Sequence, residues 1–225
     1  MLFILTGEVQ IGKTRWLQAL VRDLRTRGVV SCGVVAPGVW KPLVEGEVQR
    51  EKLGIDNVVL PQEELIHFAR RHDLAKREGV FDAASQSAQA GLKWEIDDAA
   101  IRRVDAHFAA LARAADAGGV GALEGEAAAA GRIFESATVG VFNRSPSAGF
   151  LVVDELGRLE LLGGQGLTQA VALLERGPTP LAEHALIVVR DWLFDIARDH
   201  FADFWPTIKR ISPDESARKE ILSLF

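Results

Sequence analysis

The sequence predicts a doubly wound α/β fold, in which a mostly parallel sheet is flanked by helices. Two observations lead to this prediction. Short continuous apolar runs recur along the chain, as strands buried on both faces require. Segments with apolar residues at three- and four-residue spacing lie between these runs, as expected of helices that cover a sheet. Strands that alternate with helices in this way pair in parallel.

The first strand–helix–strand unit lies at the start of the chain. The run MLFILT, residues 1–6, is predicted as a buried strand. An amphipathic helix is predicted from Thr14, and Gly28 is a suitable residue to end it. The run VVSCGVV, residues 29–35, is the next strand. Joints this short between the elements favour a parallel βαβ unit.

The middle of the chain has a weaker pattern. Residues 58–60 resemble a strand, and residues 63–71 fit either a helix or a strand. Asp97 can cap a helix that runs to about residue 115. One stripe of that helix is apolar, at Ile101, Val104, Phe108 and Leu111.

The last third returns to regular alternation. Strands are predicted at residues 150–153, 185–190 and 207–211, and helices at residues 167–174 and 192–204, with Pro213 opening a last short helix. At 225 residues the chain is predicted to form one domain, residues 1–225. Residues 118–149 are weakly patterned, so we expect any lid or insertion to fall within about residues 80–149.

Composition excludes several classes of protein. The net charge of −5 and the isoelectric point of about 5.6 argue against a broad nucleic-acid-binding surface. Cys32 is the single cysteine, so an intrachain disulfide and a cysteine-based zinc site are excluded. The first apolar run is too short for a signal peptide, and no stretch approaches a membrane span. We therefore expect a cytoplasmic protein with neither membrane nor nucleic acid as a partner.

The joint between the first strand and the first helix carries a phosphate-binding motif. Residues 7–14 read GEVQIGKT, which matches the P-loop pattern GxxxxGK[ST]. Gly7 and Gly12 allow the backbone to curl so that its N–H groups point inward and form an anion nest. The start of the helix adds its positive dipole end. The predicted nucleotide-binding residues are Gly7, Glu8, Val9, Gln10, Ile11, Gly12, Lys13, Thr14 and Arg15.

Two of these side chains have separate chemical roles. Lys13 is predicted to reach the β- and γ-phosphates and is therefore a catalytic candidate. The Thr14 hydroxyl is predicted to bind Mg²⁺, the expected cofactor.

A second motif follows at residues 150–155. Four apolar residues end in Asp154, as a Walker B strand does, and Asp154 is the second predicted Mg²⁺ ligand. Glu155 comes next and is predicted to orient the attacking water as a catalytic residue. Asp154 and Gly157 also fit the DxxG pattern of GTPases, but no guanine-reading NKxD motif occurs in the chain.

These motifs resemble a known family. GEVQIGKT, CGVVAPGVW and LVVDELGRLEL are similar to segments of the nucleoside-triphosphatase family first described from thermophiles. Arg158 and Leu159 depart from the family pattern Asp-Glu-Ile-Gly-x-Met-Glu-Leu, in which proline or lysine and then methionine are common. The resemblance covers residues 1–60 and 150–216. It implies a RecA-like P-loop fold and slow, Mg²⁺-dependent hydrolysis of nucleoside triphosphates with loose base preference.

Several other residues are weaker candidates. Phosphoryl transfer benefits from a cation near the γ-phosphate, and Arg190, at the end of a predicted strand, is the first choice for this catalytic role. The alternative is a solvated arginine at a strand end. Further candidates for that cation are Arg158, Arg144 and Arg50.

Four further side chains are considered for roles in the site or in packing. Glu160 is either an acid that supports the site or a partner in a salt bridge within the turn. Trp40 either stacks on a base or packs within its loop. Trp16 and Cys32 are expected to be packing residues.

The sequence therefore predicts an enzyme that hydrolyses nucleoside triphosphates such as ATP and GTP. Two alternatives stay open. One is a small-molecule kinase on the same fold, with an acceptor pocket within residues 61–149. The other is a nucleotide-dependent switch that binds a protein partner through the middle region.

Overall fold

The structure, a computed structural model, describes residues 1–42, 50–123 and 149–225. Its described strands form a nine-stranded sheet. The strands are β1 (Leu2–Leu5), β2 (Val30–Val35), β3 (Gly38–Pro42), β4 (Arg50–Leu60), β5 (Glu64–Arg71), β6 (Trp94–Ile96), β7 (Gly149–Asp154), β8 (His184–Val188) and β9 (Ile208–Ile211). The described helices are α1 (Lys13–Thr26), α2 (His72–Glu78), α3 (Gln86–Gln89), α4 (Asp98–Asp116), α5 (Arg158–Leu161), α6 (Thr168–Leu174), α7 (Phe194–Phe201) and α8 (Glu215–Leu222), with a 3₁₀ turn at Asp191–Leu193.

The apolar strands predicted from the sequence form the parallel part of the sheet, in the order β2, β7, β8, β1, β9. The strand that precedes the P-loop, β1, therefore does not pair with β7, the Walker B strand, because β8 lies between them. The carboxyl ends of β1, β8 and β7 lie side by side at one edge. In parallel sheets this is the edge where ligands bind.

Helices cover both faces of the parallel strands. Alternate residues of one strand point to opposite faces, so Leu2 and Ile4 join one core cluster while Phe3 and Leu5 join the other. The first cluster is completed by α4, α6 and α7. The second is completed by α1 and α8. This two-layered cover confirms the doubly wound α/β class and the RecA-like arrangement that the sequence indicated.

An antiparallel extension completes the sheet and was not predicted. β4 runs antiparallel to β2. β3 and β5 each pair antiparallel with β4, and β6 pairs antiparallel with β5. Residues 63–71, which fit a helix or a strand, contain the strand β5. Most residues of β3 and β5 are partly or fully exposed. They therefore lack the continuous apolar runs by which the parallel strands were recognised.

The helix predicted after Asp97 is confirmed. The Asp97 carboxylate accepts a hydrogen bond of 2.8 Å from the N–H of Ala99, and α4 follows as a helix of 19 residues. The helix predicted at residues 192–204 is shorter than expected, because its first residues form the 3₁₀ turn and α7 ends at Phe201. None of the described helices is both long enough and apolar enough to cross a membrane.

Candidate active site

The P-loop connects β1 to α1 and has the backbone of an anion nest. Gly12 precedes the helix with a φ of 103°, in the left-handed region that glycine adopts without strain. Gln10, within the loop, also has a positive φ, of 67°. Apart from its two chain neighbours, nothing lies within 4 Å of the place where a Cβ of Gly12 would be, so that side of the loop is open. The backbone can thus receive an anion close to the positive end of α1.

Lys13 lies across this loop. Its ammonium donates hydrogen bonds to the carbonyl oxygens of Gly7 at 2.6 Å and Glu8 at 3.0 Å. The ammonium is thereby held beside the nest, where a phosphate would meet both the backbone N–H groups and the positive charge.

A small polar network supports the base of the loop, and sequence reasoning missed it. The Arg210 guanidinium donates to the Thr6 hydroxyl at 3.3 Å and to the Asp191 carboxylate at 3.3 Å. Hydrogen bonds from Thr6 and Gly7, together with Arg210, lower the pKa of Asp191 below its ordinary value. Asp191 follows β8 and Arg210 lies in β9, so their relation to the P-loop depends on strand order.

Asp154 lies at the carboxyl end of β7 and is 3% exposed. Its Oδ2 accepts a hydrogen bond of 3.1 Å from the N–H of Ala36, which follows β2. Burial raises the pKa of Asp154 to about 7, and the nearby Glu155 adds to this, while the bonds from Ala36 and the Thr14 hydroxyl oppose it. The two predicted metal ligands, Thr14 and Asp154, thus lie near enough for the Thr14 hydroxyl to affect the pKa of Asp154.

These two oxygen-bearing side chains fit Mg²⁺. A buried carboxylate that retains much of its desolvation penalty gains from a cation, and Mg²⁺ prefers oxygen ligands. Mg²⁺ commonly takes only one or two protein ligands and completes its shell with substrate phosphates and water. Within residues 1–42, 50–123 and 149–225, no group of three or more His, Cys, Asp or Glu side chains could hold a metal ion.

Glu155 and Arg190 meet at the same edge. The Arg190 guanidinium donates a hydrogen bond from Nε to Glu155 Oε1 at 3.2 Å, and both side chains are partly exposed. The peptide bond between Asp154 and Glu155 is cis. Arg190 follows β8, the strand between the P-loop strand and the Walker B strand. The three predicted catalytic residues Lys13, Glu155 and Arg190 therefore come after the ends of three neighbouring strands, Lys13 as the first residue of α1.

Lys52 is a charged residue near this site that sequence reasoning missed. It lies in β4, in the antiparallel extension, and is partly buried. Burial lowers the pKa of its ammonium, while the carboxylates of Glu155 and Asp154 raise it and Arg190 lowers it further. Its charge therefore acts on the same groups that form the candidate site. Arg50, the candidate two residues earlier, is exposed at the start of β4.

The side chains of Arg158 and Glu160 both form hydrogen bonds with backbone groups. The Arg158 guanidinium donates to the carbonyl oxygens of Ala90 and Gly91, which follow α3. Glu160 accepts from the N–H groups of Gly157 at 2.8 Å and Leu167 at 3.1 Å, and burial raises its pKa. Glu160 thus satisfies backbone donors around α5, rather than joining a salt bridge within the turn.

The other candidates mainly pack. Trp40 lies against Lys52 within the β3–β4 pair, and Trp16 donates from Nε1 to the carbonyl oxygen of Asp214 at 2.8 Å. Cys32 is buried in β2, and burial raises its pKa to about 12, so its thiol stays protonated. Arg144 lies outside the described residues.

Comparison with known proteins supports the fold. No protein-family model matches the chain, and no curated protein matches it by sequence. A human cancer-related nucleoside triphosphatase has a similar solved structure, with a TM-score of 0.52 and 17% identity over 99% of this chain and 93% of that one. THEP1 from the hyperthermophile Aquifex aeolicus is also similar, with a TM-score of 0.53 and 16% identity over 100% of this chain and 98% of that one. At this identity the likeness shows a common fold, and at that level it confirms the resemblance noted in the sequence.

Proposed function

We propose that this chain, which shares its fold with a human nucleoside triphosphatase, hydrolyses nucleoside triphosphates to diphosphate and phosphate with loose base preference. The observation that carries the proposal is the buried Asp154 at the carboxyl end of β7, which lies near the Thr14 hydroxyl of the P-loop at the edge of the sheet where β1, β8 and β7 end. Glu155 stands beside that pair. A phosphate cradle, two oxygen ligands and an adjacent carboxylate are the parts that nucleotide hydrolysis requires.

Binding is assigned to the P-loop and its lysine. The loop N–H groups receive phosphate oxygens, and the Lys13 ammonium exchanges the carbonyls of Gly7 and Glu8 for the β- and γ-phosphates. Thr14 and Asp154 are the residues that would hold Mg²⁺. When bound, that ion neutralises charge on the β- and γ-phosphates.

The chemical step is assigned to Glu155. Its carboxylate orients a water molecule and accepts a proton from it as the water oxygen bonds to the γ-phosphorus. The bond from that phosphorus to the β–γ bridging oxygen breaks, and the diphosphate leaves. Arg190, which holds Glu155 at 3.2 Å, can turn towards the γ-phosphate and stabilise its charge.

The first test is release of phosphate from ATP, GTP, CTP and UTP with Mg²⁺. Wild type should release phosphate slowly from several of these triphosphates. Lys13→Ala should lose both binding and release, because it removes the phosphate contact. Glu155→Gln should keep nucleotide binding and lower kcat by about 10²-fold or more, since a positioned general base contributes at least that much.

Matched variants control for charge alone. Lys41→Ala and Glu183→Gln change exposed residues of the same two types outside the P-loop and the Walker B segment, and they should leave the rate unchanged. Binding without phosphate release in wild type would contradict the proposal.

A second candidate function, a small-molecule kinase, is favoured by a cavity of about 870 Å³. The cavity lies between the antiparallel extension and the start of α4, and its lining includes Gly54, Phe68, Arg70, Glu95, Ile96 and Asp98. Glu95 is buried, and its Oε2 has no hydrogen-bond partner in the part of the chain that the structure describes. A hydroxyl or amine of an acceptor molecule could satisfy that oxygen. ADP release that depends on an added acceptor and is lost in Glu95→Gln would favour a kinase over a hydrolase.

A further inference from the structure

The β3–β4 hairpin extends beyond the parallel strands at the edge that carries the candidate site. β4 has 11 residues, but only Val58–Leu60 pair with β2. β2 ends at Val35, and the next residue, Ala36, already binds the Asp154 carboxylate. The earlier part of β4 pairs with β3 instead, from Arg50 to Ile55. The hairpin thus projects past the carboxyl end of β2, beside Asp154.

Lys52 is held in this hairpin by two indole rings. Its Nζ lies 5.2 Å from the ring centroid of Trp94 and 6.0 Å from that of Trp40. Cations are attracted to aromatic faces at such distances. Gly38 leaves room for this arrangement, because a Cβ there would lie 2.8 Å from Lys52 Cε and 2.6 Å from Trp40 Nε1. The side chain is therefore fixed in direction rather than free in solvent.

The surroundings of the ammonium favour an anion that is not part of the protein. Across residues 1–42, 50–123 and 149–225, no carboxylate lies within 4 Å of Lys52. The charged groups that act on it are Glu155 and Asp154, which attract it, and Arg190, which repels it. In the proposed function Asp154 neutralises a cation and Glu155 faces a water molecule. The partly buried Lys52 ammonium beside them is then available to bind the γ-phosphate.

We propose that Lys52 is a further catalytic residue, which binds the γ-phosphate and stabilises the negative charge that develops there during hydrolysis. The inference rests on the proposed function. The hairpin would thereby supply a second cation from the same chain, in addition to Arg190, for a role that a partner's arginine fills in some other phosphoryl-transfer sites. Because the β-phosphate is already bound by the P-loop, Lys52 should distinguish a triphosphate from a diphosphate.

The test replaces Lys52 with methionine, which keeps an unbranched chain over the two indoles and removes the charge. Binding of Mg²⁺–ADP is compared with binding of Mg²⁺–ADP plus aluminium fluoride, a mimic of the γ-phosphoryl group in transfer. Lys52→Met should leave ADP affinity unchanged, weaken the aluminium fluoride complex at least tenfold, and lower kcat by about 10²-fold. Lys52→Arg should recover part of each loss, since it restores the charge.

Lys41→Met is the matched control, because Lys41 lies in the same hairpin and is exposed. It should change none of these values. If Lys52 only stabilised the hairpin, Lys52→Met would lower the thermal midpoint and weaken both complexes equally, and the inference would be wrong. Equal affinities of Lys52→Met and wild type for both complexes would overturn it as well.

The outcome also separates this inference from the proposed function. If wild type releases no phosphate, the hydrolase assignment fails. Preference for ATPγS over ADP in wild type, lost in Lys52→Met, would still show that Lys52 contacts the γ-phosphate. Phosphate release in wild type with an unchanged rate in Lys52→Met would overturn the role of Lys52 and leave hydrolysis intact.

Discussion

At the residue scale, the carboxyl of Asp154 stands out because the fold buries it, and no cation of the described residues is close enough to form an ion pair with it. Asp154 accepts a hydrogen bond from the N–H of Ala36, and the nearby Thr14 hydroxyl also favours its charged form, but together they offset only part of the cost of desolvation. The pKa of about 7 is the net result of burial, which raises it, and of these polar neighbours, which lower it. Such a carboxyl is suited to receive a metal ion and lowers the stability of the protein that lacks one.

The sign of the pH effect follows from that value. The pKa of Asp154 is about 7 in the folded protein and about 3.8 in the unfolded chain. The folded state therefore binds more protons between these values, and the free energy of unfolding falls as pH rises from about 4 to 7. Asp154→Asn should be more stable than wild type by about 1–3 kcal/mol at pH 8 and nearly equal to it at pH 4.

Urea unfolding without Mg²⁺ or nucleotide measures this difference. Asp203→Asn, a change of an exposed carboxylate, should show no such pH dependence. A stability gain of Asp154→Asn that is the same at pH 4 and pH 8 would contradict the assignment.

Lys13, Thr14, Asp154 and Glu155 could be proposed as site residues from the sequence because local motifs carry them. Lys52, Asp191 and Arg210 could not. Each of these three approaches the site only through strand pairing between segments distant in the chain. No pattern of neighbouring residues signals such an approach.

At the element scale, the parallel pairing of β2 with β7 positions Asp154. β7 carries Asp154, and β2 leads to Ala36, whose N–H binds the Asp154 carboxylate. Gly33 lies in the middle of this pairing, where its partner is Val152. Its φ is +112°, and a Cβ there would lie 2.0 Å from the carbonyl oxygen of Val152. The two strands can approach this closely only with glycine at residue 33.

Gly33→Ala is therefore expected to lower the free energy of unfolding by about 3 kcal/mol or more, because a backbone atom of a buried strand has to move. Gly79→Ala is the matched control. Gly79 also has a positive φ, of +72°, but nothing lies within 4 Å of its Cβ position. The control should lose only about 1–2 kcal/mol, the strain of a left-handed residue. Urea unfolding of the two variants decides the comparison, and equal losses would show that the close approach carries no cost.

The parallel strands and their helices were predictable because two-sided burial imposes apolar runs that stand out in the sequence. The antiparallel strands were not, since their exposed faces carry polar residues such as Glu64, His67 and Arg70. Such segments differ little in composition from loops. The strand order, which separates β1 from β7, also has no local signature.

At the scale of the whole molecule, one continuous sheet joins the parallel part to the antiparallel extension through β2 and β4. The helix α4 packs in the same core cluster as β1, β2, β7 and β8. Sheet pairing and shared core thus connect the extension to the part that carries the P-loop. We expect the two parts to unfold together.

Urea unfolding followed by far-ultraviolet circular dichroism and by tryptophan fluorescence should give one midpoint. Trp94 reports on β6 in the extension and Trp16 on α1 beside the P-loop. A variant with Trp40 and Trp94 replaced by Phe keeps Trp16, Trp192 and Trp205, which lie outside the extension, whereas a variant with those three replaced keeps only the two tryptophans of the extension. The fluorescence midpoint of each variant should equal its own circular dichroism midpoint. Separate midpoints would show that the extension is an independent domain.

The position of β1 between β8 and β9 has a consequence for synthesis of the chain on the ribosome. β1 is made before both of its partners, which are formed from residues 184–188 and 208–211. At about 5–20 residues per second, roughly 10–40 s separate β1 from its last neighbour. For that time the most apolar strand of the P-loop unit has two unpaired edges, which are sites of aggregation. Nascent chains stalled before residue 184 should therefore bind chaperones more strongly than those stalled after residue 211.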